Sequence, residues 1–170
     1  MAREHILLNS LTEIIKGARV EELPERINGL INSMKEIEKE LGALRSTQAL
    51  AQVDEIAKKA TIVNGTTVIT ALLGDGISGD DLRKIALELR AKAANSVVAL
   101  ISVNDSNPIL VVAASDSARS AGIKAGALVK TGSMVLGGGG GGKDDFAQGG
   151  GTDAGKSLAA LAAISNALVG

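Results

Sequence analysis

A glycine-rich stretch near the end of the sequence limits what this chain can fold into. Nine of the fifteen residues in 137–151 are glycine. Glycine places no side chain between the main chain and a neighbour, and it adopts backbone angles that are closed to other residues. Flexible linkers are usually rich in serine as well, whereas apolar, helix-like segments flank this stretch. We therefore predict a folded Gly-rich loop whose main chain lies close to another strand of the same domain or to a ligand.

The same stretch resembles the signature that closes the C-terminal domain of alanyl-tRNA synthetases, within the wider DHHA1 family. The match consists of Gly137, Gly138, Gly139, Gly140, Gly141, Gly142, Lys143, Asp145, Ala147, Gln148, Gly150 and Gly151. The sequence departs from the family at Lys143, where arginine is usual, and at Asp144, where proline is usual. A lysine lacks the planar fork with which arginine binds phosphate through two parallel hydrogen bonds.

The first part of the sequence contains the clearest helical periodicity. We predict a short helix over residues 3–16 that stops at Gly17, and a second helix that starts around Pro24. Apolar residues of the second helix alternate in steps of three and four, the heptad pattern of a coiled coil: Ile27, Leu30, Met34, Ile37, Leu41 and Leu44, followed by Gln48 and Ala51. We interpret residues 1–58 as a helical stalk. Its apolar seam is covered either by the first helix, as an internal hairpin, or by a second copy of the chain, as a dimer.

The remainder, residues 59–170, predicts a small globular unit. An Asn64-Gly65 pair between apolar runs is a strong hairpin signal, a helix follows from Ser78 or Asp80, and residues 97–103 form an apolar run typical of a buried central strand. The element order β-β-α-β-β-α-loop-α indicates an α+β fold with a mixed or antiparallel sheet. The alanine-rich end of the chain predicts a closing helix, capped by Thr152 or Asp153.

Composition limits the chemistry of this unit. The chain has no cysteine, one histidine (His5) and one aromatic residue (Phe146), which excludes a thiolate metal site and disfavours binding of single strands by base stacking. The net charge is −3 over residues 1–57 and +2 over residues 58–170. No apolar run approaches the roughly 18 residues that span a bilayer, so we expect a cytoplasmic protein without a membrane segment.

Residues 150–157 also fit the G-x-x-x-x-G-K-S pattern of nucleotide-binding loops. That pattern cradles phosphates when it links a buried strand to a helix. We expect no strand before it, because residues 137–149 are mostly glycine, and too little chain follows to complete a parallel sheet. Nucleotide hydrolysis is therefore not our interpretation, and Lys156 is expected to be solvated.

The family resemblance implies a function for the whole chain. In alanyl-tRNA synthetases this domain binds the outer corner, or elbow, of tRNA and supports aminoacylation and editing. The resemblance implies a tRNA-Ala-binding module that is not an enzyme on its own and holds no cofactor, since ATP and zinc would belong to other domains. The heptad seam adds a homodimer through the helical stalk as the expected protein partner. The residues expected to bind tRNA are Gly137, Gly138, Gly139, Gly140, Gly141, Gly142, Lys143, Asp145, Phe146, Gln148, Gly150 and Gly151, with Lys124, Lys130 and Lys156. The alternative is a nucleic-acid substrate-binding lobe related to DHH-family phosphoesterases.

Overall fold

A computed structural model describes residues 2–15 and 19–169 of the chain. The chain divides into two compact units, residues 1–41 and 42–170. Helix α1 spans Ala2–Ile14, a 3₁₀ turn spans Val20–Glu22, and helix α2 spans Leu23–Ala51. Pro24 lies in the first turn of α2, where its missing N–H group costs no hydrogen bond. The helix stop predicted at Gly17 and the side chain of His5 lie outside the described part of the chain.

The heptad positions of α2 are exposed in the single chain. Leu30 is 56% exposed, Ile37 63% and Leu44 62%. The apolar side chains of α1 are exposed as well, with Leu7 at 64%. An internal hairpin with α1 therefore does not cover the seam. Residues from Gly42 onward, including the last part of α2, pack with the second unit.

The second unit is built on one mixed sheet of six strands. Their bounds are Thr61–Val63 (β1), Thr66–Leu72 (β2), Ser96–Asn104 (β3), Asn107–Ala114 (β4), Gly140–Gly142 (β5) and Phe146–Gly150 (β6). Their order across the sheet is β1-β2-β3-β4-β6-β5. Only the pairing of β2 with β3 is parallel, as befits a pair joined by a crossover helix.

Helices cover both faces of this sheet and enclose a separate core on each. The helices of the second unit are α3 (Val53–Lys58), α4 (Gly79–Ala91), α5 (Asp116–Ser120), α6 (Ala125–Val135) and α7 (Ser157–Ala167). The first core lies under α3 and α4, where Leu82, Ile85 and Leu89 are fully buried against β3 and β4. The second lies under α6 and α7 on the opposite face. The α+β class and the mixed sheet are thus confirmed.

Local sequence signals predicted several turns and caps correctly. Asn64 and Gly65 adopt φ values of 49° and 78°, the left-handed angles of a two-residue hairpin turn. Ser78 caps α4, with its hydroxyl oxygen accepting a hydrogen bond from the Asp81 N–H at 3.2 Å. None of the described helices is both long and apolar enough to span a bilayer.

Three expectations about the end of the chain were wrong. The Gly-rich segment is a β-hairpin of two strands and not a loop, although its main chain does lie against another strand of the same domain, as expected. A strand, β6, does precede the nucleotide-loop pattern. Neither Thr152 nor Asp153 caps the closing helix, since a 3₁₀ turn over Ala154–Lys156 leads into α7 and Asp153 makes no side-chain cap there.

Candidate nucleic-acid interface

The Gly-rich hairpin forms one edge of the sheet. Strand β6 pairs with β4 on one side and with β5 on the other, so that β5 is the outermost strand. Gly139 and Lys143, which flank β5, both hydrogen-bond to β6. Antiparallel strands exchange hydrogen bonds at every second residue, so Gly141 also faces β6 while Gly140 and Gly142 direct their main-chain groups away from it. The edge thus presents backbone donors and acceptors with no side chains in front of them.

Alternate glycines of the hairpin are required by close packing. A methyl group placed on Gly138 would lie 2.2 Å from the Gly150 carbonyl oxygen, and one on Gly140 would lie 2.5 Å from the Cα atom of Gly149. A methyl group on Gly151 would lie 2.1 Å from the carbonyl oxygen of Leu136. Real Cβ atoms do not approach so closely, so these glycines allow the hairpin to lie against its own strands and the end of α6.

The intervening glycines face open space. No atom lies within 4 Å of a methyl group placed on Gly139 or Gly141. Neither residue has a positive φ, so other residues could adopt their backbone angles. Gly141 is directly opposite Gln148, and neighbours across a pair share one face of the sheet. This face, defined by Gly139, Gly141 and the exposed side chain of Gln148, is hereafter the open face of the hairpin.

Arg83 of α4 borders the open face and was not predicted from the sequence. Its guanidinium carbon lies 4.7 Å from the centre of the Phe146 ring, a distance typical of a cation–π contact. Phe146 itself is half-buried and packs against the core under α4. The sequence contains no signal for this pair, because Arg83 is one of several exposed charges on an amphipathic helix. The ring holds a cation beside the open face in addition to completing the core.

The tip of the hairpin is anchored by main-chain hydrogen bonds. The Ala125 N–H, at the start of α6, donates to the Asp144 carbonyl at 3.0 Å, and the Ala114 N–H donates to the Asp145 carbonyl at 2.9 Å. Lys124 Nζ lies 3.7 Å from Asp144 Oδ2. The Lys143 side chain is exposed and has no acidic partner within 4 Å among the described residues. Lys143 is therefore the cation of the tip that is available to an anionic ligand.

Charges near the tip are closely balanced. The hydrogen bond from Arg119 lowers the pKa of Asp116, and the same contact, with smaller effects of Asp145 and Asp144, raises the pKa of Arg119. These residues are at the surface, where ion pairs contribute little to stability. The balance means that an anionic partner would meet a modest local charge and not a strongly basic face.

The other two predicted lysines lie away from the tip. Lys130 is exposed on α6. Lys156 follows the opposite end of β6 and forms an exposed ion pair with Asp153 at 3.1 Å. Strand β6, which precedes the nucleotide-loop pattern, is antiparallel to both of its neighbours. The parallel strand–loop–helix arrangement of a nucleotide-binding loop is therefore not formed here.

Comparison with known proteins places this arrangement in a family. The model of the DHHA1 domain matches residues 65–170, and the chain belongs to this family. Curated relatives match nearly the whole chain. The alanine–tRNA ligase of Kineococcus radiotolerans is 47% identical over 98% of this chain and 19% of the ligase. That of Cutibacterium acnes is 42% identical over 99% of this chain and 19% of the ligase.

A solved structure shares the fold. The C-Ala domain from Aquifex aeolicus alanyl-tRNA synthetase superposes with a TM-score of 0.61 at 28% identity, and the match covers 66% of this chain and 99% of that domain. The resemblance to alanyl-tRNA synthetases is thus confirmed. The chain spans about a fifth of the length of the curated ligases that it matches, and about two thirds of it match the C-Ala domain.

Proposed function

We propose that this chain is a tRNA-binding and oligomerisation module that docks on the elbow of tRNA-Ala. The relatives are named as alanine–tRNA ligases, whose substrate is this tRNA. The proposal assigns the contact to the open face of the Gly-rich hairpin, with Lys143 and Gln148, and adds Arg83. In the cell the module is proposed to act in the cytoplasm as part of a larger ligase, holding tRNA for aminoacylation and editing.

The observation that carries this proposal is the alternation along the hairpin. Close packing accounts for Gly138, Gly140 and Gly151, but it does not account for Gly139 and Gly141, where an added methyl group would meet no atom of the described chain within 4 Å. A surface without side chains lets a bulky phosphate–ribose backbone approach the main chain closely. Folded RNA is recognised largely by shape and through phosphate and 2′-OH groups, which the exposed backbone, Lys143 and Gln148 can meet without aromatic stacking.

A gel shift tests the proposed substrate. Transcribed tRNA-Ala should be retarded by the chain, and a tRNA-Ala from which the D and T loops have been removed should bind at least tenfold more weakly. Equal affinity for both RNAs would contradict docking on the elbow. Binding of short single-stranded RNA in preference to either would favour the alternative of a lobe related to DHH-family phosphoesterases.

We further infer that α2 mediates a homodimer. Its seam comprises Ile27, Leu30, Met34, Ile37, Leu41 and Leu44, all of which are 38% or more exposed in the single chain. A continuous apolar stripe at heptad spacing is characteristic of a helix that pairs with another helix. A second copy of α2 would remove this stripe from water and would place two tRNA-binding hairpins in one assembly.

Lys143→Ala should weaken tRNA binding modestly, by about three- to tenfold at low salt. The side chain would contribute one phosphate contact, so the dependence of log K on log salt concentration should become shallower by about one contact. Titrations at four salt concentrations measure this slope. Lys58→Ala is the matched control, since it removes the same charge from an exposed position of α3 that is not among the residues expected to bind tRNA. An unchanged slope in Lys143→Ala would show that this lysine does not contact RNA.

Lys156→Ala should leave the fold unchanged and tRNA affinity nearly unchanged, apart from the loss of one phosphate contact, because the lysine is engaged with Asp153 in an exposed pair. The chain is expected to show no ATP or GTP turnover in a phosphate-release assay. Turnover that disappears in Lys156→Ala would establish the nucleotide-binding loop that the strand arrangement argues against.

A further inference from the structure

The edge of the sheet opposite the Gly-rich hairpin contains an open stretch of strand. Strand β1 pairs only with residues 66–68 of β2, although β2 continues to Leu72. The N–H groups of Thr67 and Leu73 donate toward β3 and its preceding turn. Main-chain groups alternate in direction along a strand, so Thr70 and Leu72 direct theirs outward. No strand pairs with these two residues within the described part of the chain.

This open stretch forms the floor of a groove of about 520 Å³. The end of α2 contributes Gln48 on one side of the floor. On the other side lie the side chains of Leu72, at the end of β2, and of Leu158, in α7. They are 45% and 68% exposed. The lining from α2 and its neighbours thus combines the polar side chains of Gln48 and Gln52 with the apolar Ala49 and Ile56, while Leu158 is apolar, and unpaired backbone of β2 lies between them.

The charged residues that line the groove are both basic. Arg45 is held near the C-terminal end of β2 by a hydrogen bond from its Nη1 to the Asp75 carbonyl at 2.6 Å. Lys59, which is exposed, follows α3 two residues before β1. Because Thr61 pairs with Val68 in antiparallel register, Lys59 lies toward the Thr70 end of the open stretch and lines the groove there. Among the residues that the structure describes, no acidic side chain lines the groove. A partner whose main chain lies along β2 would thus meet a positive charge at each end.

We propose that this groove binds an extended segment of a partner protein in which acidic and apolar residues alternate. The segment adds to β2 as a further strand. Side chains of an extended segment alternate between two sides. One set would be acidic and face Arg45 and Lys59, and the other set would be apolar and face Leu72 and Leu158. Strand addition of this kind derives affinity from main-chain hydrogen bonds and selectivity from the pockets for alternate side chains.

The test uses an eight-residue capped peptide in which glutamate and valine alternate, titrated into the full chain and followed by amide NMR. The NMR resonances of the Thr70 and Leu72 amide groups should shift when the peptide binds, and the hydrogen exchange of these amides should slow at least tenfold. Lys59→Glu should weaken peptide binding at least tenfold. The matched control is Lys58→Glu, because Lys58 pairs with Glu55 and does not line the groove, and it should change affinity less than twofold. Arg45 is left in place, since it also holds α2 to the domain.

Three outcomes would overturn the proposal. If the same peptide with N-methyl groups on alternate residues binds equally well, main-chain pairing does not occur. If Lys58→Glu and Lys59→Glu have equal effects, the attraction is a general one to surface charge. If Lys59→Glu weakens binding of tRNA and not of the peptide, the groove is an RNA-contacting surface.

Discussion

Gly151→Ala should destabilise the second unit by about 3 kcal/mol, which is a large fraction of the stability of a small domain. The added methyl group would lie 2.1 Å from the carbonyl oxygen of Leu136. The clashing oxygen is a main-chain atom at the point where α6 ends and the hairpin begins, so no side-chain rotation can relieve the contact. Relief of the contact therefore requires the hairpin to move away from α6, which would break the pairing of β6 with β4.

The matched control is Gly139→Ala in the same hairpin. A methyl group on Gly139 meets no atom within 4 Å, so the change in unfolding free energy should stay within about 0.5 kcal/mol. Urea denaturation followed by circular dichroism measures both values. Equal destabilisation by the two substitutions would show that the division into packed and open glycines is wrong.

Replacing Ile37 and Leu41 together by aspartate should convert a dimer to a monomer. Each substitution would bury a carboxylate without a partner in the apolar seam of α2, at a cost of about 2 kcal/mol or more per group. The dissociation constant should therefore rise at least 100-fold. Sedimentation equilibrium measures the mass, and residues 59–170 should keep their fold because the seam residues are exposed in the single chain.

Two positions on the far side of α2 provide the control for the seam. Asn32 and Lys39 lie at heptad positions opposite the apolar stripe, and both are exposed. Asn32→Asp combined with Lys39→Asp adds acidic side chains to the same helix without entering the seam, so the dimer should persist. A wild-type chain that is monomeric at high concentration would refute the dimer directly.

Much of the fold was predictable because its signals are local. The heptads of α2 follow from residue spacing, the β1–β2 turn from Asn64-Gly65, and the start of α4 from Ser78. Helix α5 was not predicted, because its five residues are too few to show a period. Its signal was Ser115, whose hydroxyl oxygen accepts from the Ala118 N–H at 3.3 Å as a cap.

The candidate site was predictable in position but not in detail. Six consecutive glycines carry no pattern from which inward and outward residues could be told apart, since the distinction depends on which strands and helices lie against them. Gly140 is packed because Gly149 of β6 and Val129 of α6 approach it, and only the folded structure brings these elements together. Arg83 was missed for a similar reason, because its position over Phe146 is a tertiary contact.

The tRNA affinity of Gly141→Val measures the central claim most directly. A side chain added at Gly141 would meet no atom of the described chain within 4 Å, and the residue lies in a strand, which valine favours, so thermal unfolding should match that of the wild type. The added side chain would occupy the open face, and the dissociation constant for tRNA-Ala should rise at least tenfold. Wild-type affinity in a folded Gly141→Val chain would contradict the account and place the RNA-binding surface elsewhere.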